Sequence, residues 1–106
     1  MGKINLLKET QEQLKEEGKT LEDIIWCGTR ENQIHKDQLI SLLNVTYDDG
    51  FGGQEVAPNL IIVGKNWWME RHEYDGSEWW EFKTLPIKPK TIMTVNNLIT
   101  GSWEDL

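Results

Sequence analysis

The chain has 106 residues, of which 38% are hydrophobic and 27% charged, and 18 acids against 11 lysines and arginines give it a net charge of -7. These values describe one small globular domain and exclude a multidomain protein or a disordered tail. The acidic balance disfavours binding to nucleic-acid phosphates, which requires clustered lysine and arginine side chains.

The first residues lack the apolar stretch of a secretory signal, and the longest apolar run, residues 60–63, is too short to cross a membrane. Cys27 has no second cysteine with which to form an internal disulfide, which fits a reducing compartment. We therefore expect a cytoplasmic protein without membrane contact.

Residues 1–19 are predicted to form an amphipathic helix. Ile4, Leu7 and Leu14 recur at helical spacing, and Gly18 ends the pattern. The apolar stripe is narrow, so this helix is expected to bury only one side.

Residues 20–46 are predicted as a strand, a turn and a second helix. Thr20 is typical of a helix cap, so one helical turn should lead into a short strand that ends at Gly28. The second helix is expected to start after His35. Its predicted buried face consists of four apolar residues, Leu39, Ile40, Leu42 and Leu43.

Residues 47–59 are predicted to be a glycine-rich acidic loop. Its acids do not have the ligand spacing of a helix-loop-helix calcium site, so no metal is expected there. They are Asp48, Asp49 and Glu55.

Residues 60–95 are predicted to form an antiparallel meander, with three strands up to residue 84 and a candidate fourth strand at residues 91–95. Asp75-Gly76 lies between two aromatic-rich runs and is the strongest hairpin signal in the chain. Residues 96–106 have no clear period and are treated as a tail. The fold class predicted for this single domain is α+β, with two helices packed on a three- to four-stranded antiparallel meander sheet.

A two-residue turn at Asp75-Gly76 fixes the facing of the hairpin side chains, because it places Tyr74 opposite Ser77 and neighbouring residues alternate between faces. Arg71 then lies opposite Trp80, where a cation–π contact at the sheet edge is expected. The predicted core face carries Trp67, Met69, Arg71, Trp80, Phe82 and Thr84. The other face carries Trp68, Glu70, His72, Tyr74, Trp79, Glu81 and Lys83.

The second of these faces is the candidate contact surface. Glu70 lies opposite Glu81, and opposed like charges persist most easily in contact with water or a cationic partner. Large exposed aromatic patches usually mark binding sites. The alternative is that helices cover both faces of the sheet and that the tryptophans are core residues.

The charge is concentrated in the same part of the chain. Residues 37–82 contain nine acids and two bases, while the rest of the chain is balanced. A field of one sign attracts a basic partner, although an acidic surface can also serve solubility alone.

No catalytic or cofactor motif is present, and we expect neither an enzyme nor a bound cofactor. Glu70 and Glu81 beside tryptophans are weakly similar to the carboxylate pair of a glycoside hydrolase. Cys27 follows two isoleucines and a tryptophan and is interpreted as a small buried hydrophobe rather than a nucleophile.

Residues 47–55 (YDDGFGGQE), 67–71 (WWMER) and 74–82 (YDGSEWWEF) resemble small uncharacterised proteins encoded by phages and prophages of Gram-positive bacteria. The resemblance implies no particular activity. It implies a context, since small acidic phage proteins often block a host factor, including the nucleic-acid-binding effectors of CRISPR and restriction systems.

The leading hypothesis is a non-catalytic interaction protein of phage origin that binds a basic surface of a host or phage protein in the bacterial cytoplasm, such as a CRISPR effector. The oligomeric state is left open. Two alternatives remain, a sugar or nucleotide-signal binding module built on a tryptophan platform, and a virion assembly subunit. The predicted contact residues are Trp68, Glu70, His72, Tyr74, Trp79 and Glu81, with Asp48, Asp49 and Glu55 adding charge.

Overall fold

The computed structural model describes residues 3–48 and 53–99. They contain two α-helices, one 3-10 turn and seven β-strands. In chain order the elements are β1 (Lys3–Asn5), α1 (Leu6–Glu16), the 3-10 turn (Leu21–Asp23), β2 (Trp26–Gly28), β3 (Gln33–Ile34), α2 (Lys36–Leu43), β4 (Thr46–Asp48), β5 (Ile61–Gly64), β6 (Trp67–Tyr74) and β7 (Ser77–Thr84).

The strands form two antiparallel sheets. The larger has five strands in the order β3-β2-β5-β6-β7, and β1 pairs with β4 in a separate two-stranded sheet. The α+β class is therefore confirmed, but the main sheet is larger than predicted. β2 and β3 extend it with only three and two residues, which is too short for a period to be visible in the sequence.

The predicted first helix is wrong at its start, because β1 occupies residues 3–5 and α1 begins only at Leu6. Asn5 is the N-cap, and its side chain accepts a hydrogen bond from the Lys8 N–H at 3.0 Å. The predicted end is confirmed, since α1 ends at Glu16 and Gly18 adopts a positive φ of 72°.

α2 starts after His35, as predicted, although the His35 side chain makes no capping hydrogen bond. The buried face of α2 is narrower than predicted. Leu39 and Leu43 are buried, whereas Leu42 is 57% exposed. Residues four apart share one helix face, and in this short helix only that face meets the sheet.

Two further predictions are corrected in the irregular regions. β4 lies at the start of the predicted loop 47–59, because the N-terminal strand β1 supplies its pairing partner from far away in the sequence. Residues 91–95 form no strand, and the described residues after β7 contain neither helix nor strand.

The hairpin register is confirmed throughout. Tyr74 pairs with Ser77, and Trp67 at the other end pairs with Thr84. Asp75 and Gly76 both have positive φ, 52° and 87°, which is the backbone of the tight turn that suits twisted strands.

Both helices pack on the same face of the large sheet. Trp80 Nε1 of β7 donates a hydrogen bond of 2.9 Å to Thr10 Oγ1 of α1, and both residues are buried. The cluster of buried residues contains Leu6 and Leu14 of α1, Leu39 and Leu43 of α2, and Cys27, Ile62, Trp67, Met69 and Trp80 of the sheet.

Arg71 was predicted at the edge of the sheet but is buried, with its side chain fully enclosed. Its guanidinium lies 5.0 Å from the Trp80 ring centre, which confirms the predicted contact, and 5.5 Å from the Tyr47 ring centre. It pairs with the Glu78 carboxylate at 3.2 Å and with Glu9 at 3.1 Å. Burial alone disfavours its charge, but the hydrogen bond with Tyr47 and the charge of Glu9 outweigh that effect and raise the pKa of Arg71.

Glu78 is therefore a core residue, which the sequence did not indicate. Its carboxylate accepts hydrogen bonds from the backbone N–H groups of Glu55 and Val56, and it ties residues 55–56 to the hairpin. A buried carboxylate is stable here because it has both a cation and backbone donors.

Candidate binding surface on the outer face of the sheet

The face of the large sheet opposite the helices, called the outer face below, carries the predicted contact residues. In the described part of the chain neither helix covers it. Ile61 shows that the outer face is separate from the core between the sheet and the helices, because Ile61 is buried yet is not part of the core cluster. The outer face consists of Trp26, Ile61, Val63, Trp68, Glu70, His72, Tyr74, Trp79, Glu81 and Lys83.

The exposure of the aromatic side chains decides between the two interpretations left open by the sequence. Tyr74 is 77% exposed and Trp79 is 37% exposed, while Trp68 is half-buried. A second helical layer over this face is absent from residues 3–48 and 53–99. The rings are therefore available for contact.

Two of the three tryptophans of the outer face, Trp68 and Trp79, are each held by the glutamate two positions further along the same strand. Trp68 Nε1 donates to Glu70 Oε2 and Trp79 Nε1 donates to Glu81 Oε2, both at 2.9 Å. Residues two apart in a strand share a face, so the Trp-x-Glu spacing brings these groups together. The indole N–H groups are thereby occupied, and each ring is oriented before any partner binds.

Glu70 is the most heavily bonded carboxylate on the outer face. Lys83 Nζ lies 3.0 Å from Glu70 Oε1, and Arg30 lies 3.6 Å from Glu70 Oε2. His72 Nε2 is also within 3.1 Å of Glu70 Oε1. The hydrogen bonds from Lys83 and then Trp68 lower the pKa of Glu70 to about 2. The middle of this face is thus close to neutral rather than anionic, which corrects the expectation from charge density.

The acids of the hairpin that lack an ion pair in the described chain are Glu81, opposite Glu70, and Glu73 and Asp75 nearer the turn. Glu81 accepts one hydrogen bond from Trp79, and the Glu73 carboxylate accepts one from the Gly76 N–H at 2.8 Å. Neither of them, nor Asp75, forms an ion pair among the residues that the structure describes. We define the hairpin end as His72, Tyr74, Asp75, Trp79 and Glu81. Glu73 lies near it but belongs to the other face of the sheet, opposite Glu78.

The rings of the hairpin end are also partly ordered by one another. His72 and Trp79 are directly opposed across β6 and β7, with ring centres 6.4 Å apart and planes inclined by 26°. Tyr74 lies beside them at the tip of the hairpin and is largely exposed. This arrangement offers aromatic faces next to acids that lack a cation.

A groove of about 330 Å³ lies at the opposite end of the outer face. Trp26 and Arg30 were not among the contact residues predicted from the sequence. Trp26 could have been found from its strand, where buried Cys27 points to the core and its neighbour must point the other way. The groove is lined by Trp26, Arg30, Ile61, Val63 and Trp68.

Two of the loop acids, Asp48 and Glu55, do not join this surface. Glu55 donates its backbone N–H to Glu78 on the core face, and its carboxylate accepts from the Asp48 N–H at 3.3 Å. Asp48 and Glu55 therefore lie on the helix side of the sheet. Asp49 lies outside the described residues.

The described residues show no group of three or more histidine, cysteine or carboxylate side chains placed to hold a metal ion. Cys27 is buried and donates its S–H to the Ile34 carbonyl at 3.4 Å, and burial raises the pKa of its thiol. Among the described residues no helix has both the length and the apolar character needed to span a bilayer.

Comparison with protein-family models, with curated proteins and with solved structures finds no significant match for this chain.

Proposed function

We propose that the protein is a non-catalytic interaction protein whose hairpin end binds lysine and arginine side chains on the surface of a partner protein. The observation that supports this most directly is the juxtaposition of two exposed rings, Tyr74 and Trp79, with two acids, Asp75 and Glu81, that form no ion pair in the described chain. Aromatic anchors and uncompensated charge together are typical of protein contact sites.

The chemistry of this end suits a cation with an alkyl stem. A guanidinium or ammonium group stacks on an indole or phenol face and is attracted to a nearby carboxylate. The Trp79 N–H is already bound by Glu81, so the ring presents its face rather than a donor. Little side-chain entropy remains to be lost on binding, because the ring is held by Glu81 and stacked on His72.

A partner of this kind is a protein with a cationic groove, such as one that holds nucleic acid. Occupation of that groove by an acidic hairpin would compete with the phosphates. This is the inhibitory role that the resemblance to phage-encoded proteins implies, and it includes inhibitors of CRISPR and restriction effectors.

The test uses defined peptides as probes before any natural partner is sought. We expect the full chain to bind an arginine- and lysine-rich peptide, with a change in tryptophan fluorescence, and not a glutamate-rich peptide of the same length. Trp79→Ala and Asp75→Asn should each weaken this binding by about fivefold, since each removes a contact worth roughly 1 kcal/mol.

Glu16→Gln is the matched control for loss of one charge, because Glu16 is an exposed acid at the end of α1, on the helix side. Binding of the basic peptide should persist in this variant and decrease as salt increases. Equal binding by Trp79→Ala and the wild type, with both folded, would contradict the proposal.

The groove between Trp26 and Trp68 supports a second candidate function, the binding of a small ring-shaped molecule such as a sugar. Its volume lies at the lower end of ligand sites, and Arg30, whose side chain is 75% exposed, lines it. Titration with a panel of sugars and nucleotides should then quench tryptophan fluorescence in the wild type and less in Trp26→Ala. An unchanged spectrum across the panel would count against this function.

A further inference from the structure

Among the residues that the structure describes, the long strand β7 pairs along only one of its two edges. It lies at the end of the sheet order and has eight residues, whereas the strand at the other end, β3, has two. A long regular edge presents unpaired backbone groups and readily accepts another strand. Proteins usually shorten or bend such edges, as this chain does at β3.

The hydrogen-bond pattern of the hairpin shows which groups are free. Tyr74 and Ser77 flank a two-residue turn and form a bonded pair, and bonded pairs alternate with non-bonded ones along the strands. The Leu85 N–H donates to the Asn66 C=O at 3.0 Å, which continues this alternation. The backbone N–H and C=O groups of Trp80 and Phe82 therefore point away from β6 toward the open edge.

The segment that follows β7, residues 85–99, is called the arm below. It forms no helix or strand, and it exposes apolar side chains that a stable monomer would normally bury. Residues 91–95 read Thr-Ile-Met-Thr-Val, a composition that favours a strand. The exposed apolar side chains are Leu85 at 55%, Ile87 at 91%, Ile92 at 98%, Met93 at 63%, Leu98 at 75% and Ile99 at 88%.

The start of the arm, residues 85–87, lies beside Asn66 and Trp67, and the apolar side chains further along the arm are exposed. The radius of gyration is 17.7 Å and the longest extent 51 Å, against about 13 Å expected for the radius of a compact chain of this length. Pro86 and Pro89 restrict both their own backbone and that of the residues before them to extended conformations. Such a stiff connection opposes the tight reversal that would be needed to pair residues 91–95 with the β7 strand of the same molecule.

Charge favours pairing of the arm with a β7 strand over direct pairing of two β7 strands. The arm contains Lys88 and Lys90 and no acid, whereas the hairpin contains Glu73, Asp75 and Glu81. Direct pairing of two β7 strands would bring two acidic hairpins together, but pairing of an arm with β7 brings lysines to them. The six residues 85–90 can span at most about 20 Å, so the two copies would lie close together.

From these observations we infer that the chain forms a dimer by arm exchange, in which residues 91–95 of one copy add a strand to the free edge of β7 in a second copy. The contact uses the backbone edge of β7 and buries the apolar side chains of residues 91–95. The lysines of the arm approach the acids of the hairpin end, so self-association and the proposed binding of a basic partner would compete for these acids, but the strand pairing does not require that binding.

The test measures molar mass by light scattering over a range of concentrations, on the full chain. The wild type should shift with concentration from 12.4 kDa toward twice that mass. Ile92→Glu should weaken self-association by at least about tenfold, because it places a charge where an apolar side chain becomes buried. Ile87→Glu is the matched control, since Ile87 is 91% exposed and lies in the proline segment outside residues 91–95.

Amide hydrogen exchange locates the contact. The amides of Trp80 and Phe82 should become protected as concentration rises in the wild type and in Ile87→Glu, and should remain unprotected in Ile92→Glu. A wild type that stays monomeric at all concentrations overturns the inference, as does equal loss of self-association in both variants. Protection of Trp80 and Phe82 in a monomer would show that the arm folds back on its own strand, and would also overturn it.

Discussion

The four glutamates of the hairpin lie in different environments and have different roles, although in the sequence they look like one acidic patch. The negative charge of Glu70 is balanced by the nearby Lys83 and Arg30, and Glu78 is buried against Arg71. Glu73 and Glu81 form no ion pair among the described residues, and each accepts one hydrogen bond. The environment of each carboxylate, rather than its residue type, decides whether it contributes to packing or to recognition.

The lowered pKa of Glu70 makes stability depend on pH in a defined direction. Its folded-state pKa of about 2 lies below the usual 4.5, so its stabilising contribution is complete above about pH 4.5 and is lost as the pH falls toward 2. Between pH 5 and 2 we expect the free energy of unfolding to fall by about 1 kcal/mol more in the wild type than in Glu70→Gln. This value is reduced to account for solvent screening of the Glu70 contacts. Urea unfolding at several pH values measures this difference.

Glu81→Gln serves as the comparison for simple loss of a carboxylate, because Glu81 has a tryptophan donor but no ion pair among the described residues. Parallel pH curves for the wild type and Glu70→Gln would show that the contacts of Glu70 do not stabilise the fold.

Breaking the buried ion pair between Arg71 and Glu78 should strongly lower the free energy of unfolding. Glu78→Gln leaves the guanidinium in the core without its nearest buried counter-charge, and we expect a loss of about 3 kcal/mol in the free energy of unfolding. Glu73→Gln, at the exposed position directly opposite on β6, should cost less than about 0.5 kcal/mol. Denaturant unfolding of both variants checks the prediction, and equal effects would contradict it.

At the scale of elements, the tight junction between β5 and β6 depends on a small residue facing a large one. Gly64 pairs with Trp67 across the strands, and a Cβ at Gly64 would overlap the Trp67 indole. Trp67 cannot move freely, because it is buried and stacks on Phe82 with ring centres 5.3 Å apart. The glycine is therefore needed for close approach at this position.

Gly64→Ala should lower the free energy of unfolding by about 1–3 kcal/mol, since the indole must shift in a packed core. Gly53→Ala is the control, because a Cβ there meets no atom within 4 Å, and it should change stability by less than about 0.5 kcal/mol. Thermal and denaturant unfolding measure both. An unchanged free energy of unfolding in Gly64→Ala would mean that Trp67 repacks without destabilising the fold.

At the scale of the whole molecule, the net charge of -7 acts against compactness through mutual repulsion of the acids. Added salt screens exposed charges, so we expect the melting temperature to rise by a few degrees between about 10 and 150 mM salt. The double variant Glu73→Lys, Asp75→Lys should show a smaller rise, because it removes part of the repulsion. A salt effect of equal size in both proteins would contradict this explanation.

The local features were predictable from the sequence to the degree that they depend on neighbouring residues. The Asp75-Gly76 turn determines the hairpin register and the two faces, because side-chain alternation follows from any fixed turn. Gly18 ended the first helix and His35 preceded the second as expected. The exposed aromatic set of the outer face followed from the same alternation.

Contacts between distant segments were decided only by the tertiary structure. β1 and β4 are three residues each and exist because they pair with one another, and residues 91–95 have strand propensity but lack a partner within the described chain. Glu78 became a core residue because Arg71, Glu55 and Val56 meet it there. Local composition determines what a segment can form, whereas pairing and burial depend on which other segments reach it, and this is why the sequence alone could not place them.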